Sequence, residues 1–245
     1  MAKKIEMYEG RPVFQASDSK QLKKAVAKYK GEVPPPYVVR VPDETVSVCS
    51  RAFSANKDIG VVILPDSVWS IGDEAFCSCK NLTSIILPES PELTIGYWAF
   101  AGCSSLSDIS IPSSVRRIKR HAFEYCNNLT KITIPASVWE IGAEAFGSCE
   151  RLAEVTFLCL VEDVEEIDKD CLFECSNLNK IIVPYKQGIA YKKILPEELH
   201  ALIVEQSGSA TSDIKEDRDE GEEEDMASEI EITTVPLKRT NRSLK

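Results

Sequence analysis

The chain has 245 residues, 43% of them hydrophobic, and a formal charge of −10. That length suits one domain with flanks. No stretch approaches the ~18 consecutive apolar residues of a membrane helix, and an acidic balance argues against general nucleic-acid binding, which needs clustered Lys and Arg. The first ten residues include Lys3 and Lys4 but no apolar run of about 7–15 residues, so no secretory signal is read and a cytoplasmic protein is expected.

Residues 1–37 precede the regular part of the chain. Residues 5–14 suggest a strand pair around Glu9 and Gly10. Ser17 or Asp18 is a good N-cap for a helix. Leu22, Ala25, Val26 and Tyr29 fall on one helical face. Lys20, Lys23, Lys24, Lys28 and Lys30 fall on the other. Such a helix could dock on a membrane or an acidic partner. The preferred reading is an N-terminal cap, because the repeats that follow leave an open apolar end. Residues 31–36, with Pro34, Pro35 and Pro36, form a stiff linker.

From residue 38 one phrase recurs: Leu-x-x-Ile-x-Ile-Pro, then Ser-Val-x-x-Ile-Gly, then Ala-Phe-x-x-Cys. The closing prolines are Pro42, Pro65, Pro88, Pro112, Pro135 and Pro184, with Leu158 in the place of one. The period is 23 residues in most units. A period in the twenties means a solenoid, in which each unit buries its apolar side only against its neighbours. In the unit of Pro65 the apolar positions are Val68, Ile71, Ala75, Phe76, Cys79, Leu82, Ile85 and Leu87. The Leu-x-x-Ile-x-Ile end alternates with period 2, as a short half-buried strand does. Ile-Gly reads as a turn, and Ala-Phe-x-x-Cys as one helical or 3₁₀ turn that presses Phe inward, too short for a free-standing helix. The expected fold is a repeat solenoid with one short parallel strand per coil. About seven such strands, at ~4.8 Å each, give a sheet edge roughly 30 Å long.

The unit resembles the BspA-like class of leucine-rich repeat, known from bacterial surface proteins and some protists, over residues 38–206. The resemblance implies a fold and a binding habit rather than a reaction. The stretch from Val183, Pro184 and Tyr185 through Tyr191 to Glu205 is similar to that family's C-terminal cap. The expected organisation is therefore 1–37 N-terminal cap, 38–184 solenoid, 185–206 C-terminal cap and 207–245 tail. Thr45 and Asn56 in the first unit, and Leu158 in the last, depart from the pattern and suggest looser terminal coils. Residues 207–245 hold 11 acids and 6 bases and peak at Glu222, Glu223, Glu224 and Asp225. Too few of them are apolar to offset ordering entropy, so a disordered acidic tail is expected, as an interaction segment or a solubilising one.

Of the two histidines, His121 sits in a column with Arg51, Glu74, Trp98, Glu144 and Asp170 that reads as solvent-facing, and His200 lies in the C-terminal cap. Neither has a nucleophile in a local motif, so no catalytic residue is assigned. Cys79, Cys103, Cys126, Cys149 and Cys175 share one repeat position and read as small buried hydrophobes. No metal or cofactor is assigned, because these cysteines are committed to the core and no paired zinc pattern accompanies them. The acids Glu162, Asp163, Glu165, Glu166, Asp168 and Asp170 read as a solvated loop.

A partner site is sought on the outward positions of the strands, which alternate with the core positions. The candidate binding face comprises Arg40, Ile63, Ser84, Ile86, Asp108, Ser110, Lys131, Thr133, Glu154, Thr156, Lys180 and Ile182. Such a face offers roughly 300–400 Å² at ~3.3 Å per residue, against about 800 Å² for one side of a standard interface. Loops must join in, or the ligand is a peptide. Trp69 and Trp139 share one position and read as packing between coils. The expected function is a non-catalytic scaffold for a protein or peptide partner, of unknown oligomeric state. The alternative is a cell-surface adhesin for host protein or glycan.

Overall fold

The computed structural model describes residues 7–8, 11–28, 34–89 and 92–207, apart from the side chains of Met7 and Asp108. Residues 31–33 of the expected linker and 208–245 of the expected tail lie outside the described residues. The elements in chain order are β1 (Met7–Tyr8), β2 (Arg11–Gln15), α1 (Ser19–Lys28), β3 (Tyr37–Arg40), β4 (Ser47–Val48), β5 (Ile59–Ile63), β6 (Ser70–Ile71), β7 (Ser84–Ile86) and β8 (Leu93–Ile95). There follow β9 (Asp108–Ile109), β10 (Val115–Ile118), β11 (Lys131–Ile134), β12 (Glu140–Ile141), β13 (Glu154–Phe157), β14 (Glu166–Ile167), β15 (Lys180–Val183), α2 (Gly188–Ile194) and β16 (Ile203–Glu205). Among the described residues no helix is long and apolar enough to cross a membrane.

Each coil contributes two strands, not one. The strands before the prolines form the front of the solenoid. They do not make a continuous sheet: β1-β2-β3-β5-β7-β9 is one block and β11-β13-β15-β16 another. The second strand of each coil ends at the Ile of Ile-Gly or its counterpart (Val48 in β4), and these strands form one six-stranded sheet, β4-β6-β8-β10-β12-β14. Ile-Gly therefore ends a strand. Its glycine is required by close approach: a Cβ on Gly72 would lie 2.6 Å from the backbone nitrogen of Ser50 and 2.8 Å from the carbonyl of Val48. β1 and β2 form an antiparallel pair, and β2 then joins β3 in parallel, so the front sheet begins before residue 38.

The core is a set of columns. Phe53, Phe76, Phe100, Phe123 and Phe146 are all buried. Their rings stand in a single file, with successive centroids 5.1–5.3 Å apart and planes within 7° of parallel. The spacing is close to the distance between sheet strands, so the file follows from identical side chains on stacked coils.

The arc that carries Phe is neither helix nor strand. Backbone N–H groups alternate between two destinations. Glu74, Phe76 and Ser78 donate to the next coil, at the carbonyls of Tyr97, Ala99 and Ala101, while Ala75, Cys77 and Cys79 donate to the residue three back in their own coil. This alternation needs left-handed backbone at two positions per coil. Arg51, Glu74, Trp98, His121 and Glu144 occupy the first, at φ 53–59°. Ala55, Ser78, Gly102, Tyr125, Ser148 and Glu174 occupy the second. Left-handed non-glycine residues cost about 1–2 kcal/mol each, and the cross-coil hydrogen bonds hold them. The arc is thus built of single 3₁₀-type turns, closed by N–H groups that donate three residues back, and the left-handed residues between them keep it from continuing as a helix.

The cysteine column does more than fill space. The thiols of Cys79, Cys103, Cys126, Cys149 and Cys175 donate to the carbonyls of Phe53, Phe76, Phe100, Phe123 and Phe146 in the preceding coil, at 3.0–3.4 Å. Each carbonyl thereby gains a partner that alanine or valine would not supply. All nine cysteines are free thiols. At the C-terminal end Tyr191 of α2 is buried, and its hydroxyl donates to the Cys159 carbonyl at 2.8 Å.

Candidate functional site

The front face was assembled from twelve predicted residues, and the structure divides them. Next to β2, the outward side is covered. Val13, Val38 and Ile63 are buried in a small second cluster with Tyr8 and Val61 packed on it. Ile63, at 6% exposure, is therefore not part of an open face. It lies outside the main core, in a cluster that includes Val13 of β2 and has Tyr8 of β1 packed against it. Arg40 is half-buried in the neighbouring rung. Ser84 is half-buried, and Ile86 and Ser110 are exposed. Asp108 lies in β9, paired in register with Ser84, and its side chain is outside the description.

The second block brings the remaining residues together. Lys131, Glu154 and Lys180 stand in register on β11, β13 and β15, as do Thr133, Thr156 and Ile182. Lys131 and Thr133 are exposed and the other four half-buried. Lys180 pairs with Glu154 at 3.2 Å. Such a half-exposed pair contributes modestly, about 0–1 kcal/mol. β16 extends this surface, since Val204 pairs with Ile182 and is 50% exposed. The open face is thus a four-strand patch with one charged row and one row that runs from threonine to aliphatic.

Sequence reasoning missed a second population of outward residues. Trp69, Tyr97, Trp98, Tyr125 and Phe173 are all exposed large side chains. Trp69, expected to pack between coils, is 56% exposed. Trp139 at the same repeat position is half-buried, with Arg117 5.0 Å above its ring. A signal was available for Trp98 and Tyr125, whose repeat positions hold Arg51, Glu74 and Glu144, and Ser78, Ser148 and Glu174, in other coils. Arg117 also approaches Glu140 at 3.5 Å, and Lys119 pairs with Glu140 at 2.6 Å, so one carboxylate of the next coil is shared by two bases of that run.

The match to known proteins is decided by the repeats. The model of the BspA type leucine-rich repeat region matches six copies over residues 46–179. The chain belongs to the BspA-type leucine-rich repeat family. Its coil geometry agrees with solved leucine-rich repeat structures. One is a leucine-rich repeat protein from Bacteroides ovatus, 30% identical with a TM-score of 0.53, matched over 63% of this chain and 43% of that one. Another is the leucine-rich repeat protein of T. pallidum, 31% identical with a TM-score of 0.53, over 66% of this chain and 79% of that one. The chain thus spans less than half of the Bacteroides ovatus protein. No curated protein matches. Leucine-rich repeat proteins are generally interaction scaffolds without catalytic activity, and this chain shares their fold.

Proposed function

We propose that this protein is a non-catalytic scaffold that binds a protein or peptide through the front face formed by β11, β13, β15 and β16. The observation that supports the reading is the register of that patch. Lys131, Glu154 and Lys180 make one row, and Thr133, Thr156, Ile182 and Val204 the next. Four strands at ~4.8 Å spacing give a patch about 15–20 Å across. That is smaller than a standard protein interface, so an extended peptide, or a partner that also touches the loops, fits it best. In this reading α1 closes the N-terminal end of the core, because Leu22 is buried there with Ala25 and Val26 packed alongside. The cytoplasm is the compartment that suits a column of reduced, donating thiols.

The test is a pull-down with the full chain and with residues 207–245 removed, followed by affinity measurements on variants of the patch. Lys131→Glu and Thr133→Arg are exposed changes that should weaken the captured partner about tenfold or more through repulsion and obstruction. Unchanged affinity in both moves the site off this face. A second reading, a surface adhesin for host protein or glycan, draws on the exposed rings of Tyr97, Trp98 and Tyr125. Recovery of the native protein in the cell envelope would favour it.

A further inference from the structure

Three metal-ligand atoms converge where the sequence suggested only solvated side chains. His121 and Glu144 hold the same left-handed position in successive coils, and Glu124 lies three residues beyond His121. Nδ1 of His121 is 3.1 Å from Oε2 of Glu124 and 3.7 Å from Oε2 of Glu144. The three donor atoms lie within 4.8 Å of one another.

His121 is 7% exposed, against the expectation that its column faces solvent. Its ring is held against Trp98, with centroids 4.8 Å apart and planes 12° from parallel. Nδ1 is buried, and its 3.1 Å contact with Glu124 is not aligned as a hydrogen bond. The carboxyl groups of Glu124 and Glu144 both face Nδ1 of His121. Two carboxylates therefore crowd one imidazole, and the place between them favours positive charge.

We propose that His121, Glu124 and Glu144 bind a divalent first-row cation of the zinc class. An ion in tetrahedral coordination with bonds of about 2.0–2.2 Å sets its ligands about 3.3–3.6 Å apart. The two distances from Nδ1 bracket that range. One imidazole nitrogen with two carboxylates suits zinc, cobalt or nickel, whereas calcium and magnesium prefer an all-oxygen set. Water completes the coordination from the side of Glu144, whose side chain is 26% exposed.

Arg120 is the competitor. Its Nε donates to Nε2 of His121 at 2.8 Å, and Nη2 lies 3.9 Å from Oε1 of Glu144. With Nε2 accepting, the ring proton sits on Nδ1. An ion on Nδ1 sends that proton to Nε2, so Arg120 must release the ring. Its side chain is 55% exposed and can turn to solvent.

The experiment is a titration of the reduced full chain with Co²⁺ and with Zn²⁺, by absorption and calorimetry. One ion per chain is expected. Glu144→Gln, Glu124→Gln and His121→Asn should each weaken binding about tenfold or more; asparagine keeps the left-handed backbone accessible. Arg120→Gln should tighten binding, because it removes a positive charge and offers an acceptor to Nε2–H. The double variant Cys49→Ser/Cys77→Ser, which removes the two most accessible residues with thiols outside the cysteine column, should bind as the parent does. Circular dichroism establishes that each variant is folded. Absence of saturable binding at millimolar metal would overturn the proposal. So would binding that survives both His121→Asn and Glu144→Gln, or that disappears in the cysteine variant.

Discussion

The side-chain amide of Asn56 donates to the hydroxyl of Ser19 in α1 at 2.9 Å, and its oxygen accepts from the backbone N–H of Asp58 at 2.9 Å. Asn56 occupies the position that later coils give to cysteine, whose thiol reaches back to the preceding coil. The first coil has no preceding coil of that kind, and the asparagine reaches α1 instead. What looked like decay of the repeat is the attachment point of the helix. Asn56→Ala should lower stability by about 1–2 kcal/mol, since it leaves partners unsatisfied in a buried place. A double-mutant cycle with Ser19→Ala, measured by urea denaturation, should give a coupling energy of about 0.5 kcal/mol or more. Additive losses would remove the coupling from the account.

The phenylalanine file makes a sharper demand. Phe100 sits between Phe76 and Phe123 and is fully buried. Phe100→Ala should cost about 3–5 kcal/mol. Because a solenoid is stabilised by nearest-neighbour interfaces, the loss should also split or broaden the denaturation transition. A loss below about 1 kcal/mol with an unchanged slope would contradict the file as the core of the fold.

Left-handed backbone predicts a gain. Ala55 is exposed at φ 56°. Ala55→Gly should raise the midpoint of denaturation, by roughly 1 kcal/mol, because glycine adopts that conformation without steric cost. The same change at Ala52, which has no positive φ, should destabilise by about 0.5–1 kcal/mol.

Alkaline pH should unfold the protein early. Burial pushes the Cys79 thiol up to about 12 and the Cys175 thiol up to about 11, and raises Cys103, Cys126, Cys149, Cys159 and Cys171 as well. An unfolded thiol ionises near 8.5. Above that value the unfolded state loses protons that the folded state keeps, so stability falls as pH rises. The contribution is intact below pH ~8.5 and is lost between there and about 11–12, at up to ~1.4 kcal/mol per pH unit per thiol. Urea midpoints measured from pH 7 to 10 should drop steadily above 8.5. Exposed Cys49 should react with a thiol reagent before the buried column does.

Much of this fold was legible because the repeat states it several times. A single Leu-x-x-Ile-x-Ile would be an ambiguous strand, whereas its return at a fixed interval leaves stacking as the only way to bury every copy. The same logic placed the phenylalanines and cysteines inside. The second sheet was not legible, because strands of two to four residues carry too little alternation to read. The turn ladder was missed because its left-handed positions hold ordinary residues such as Glu74 and Tyr125, which give no local sign of φ > 0.

For the sites, sequence determined which side chains alternate outward on the strands, since period 2 is a local property of the backbone. Whether an outward residue stays open depends on what another part of the chain lays over it. Ile63 is buried in a cluster that includes Val13 of β2, while Thr133 is exposed. His121 makes the same point in reverse. Its column reads as polar and exposed, yet Trp98 below and Glu144 above close around it, because residues 23 apart in sequence become neighbours only when the coils stack.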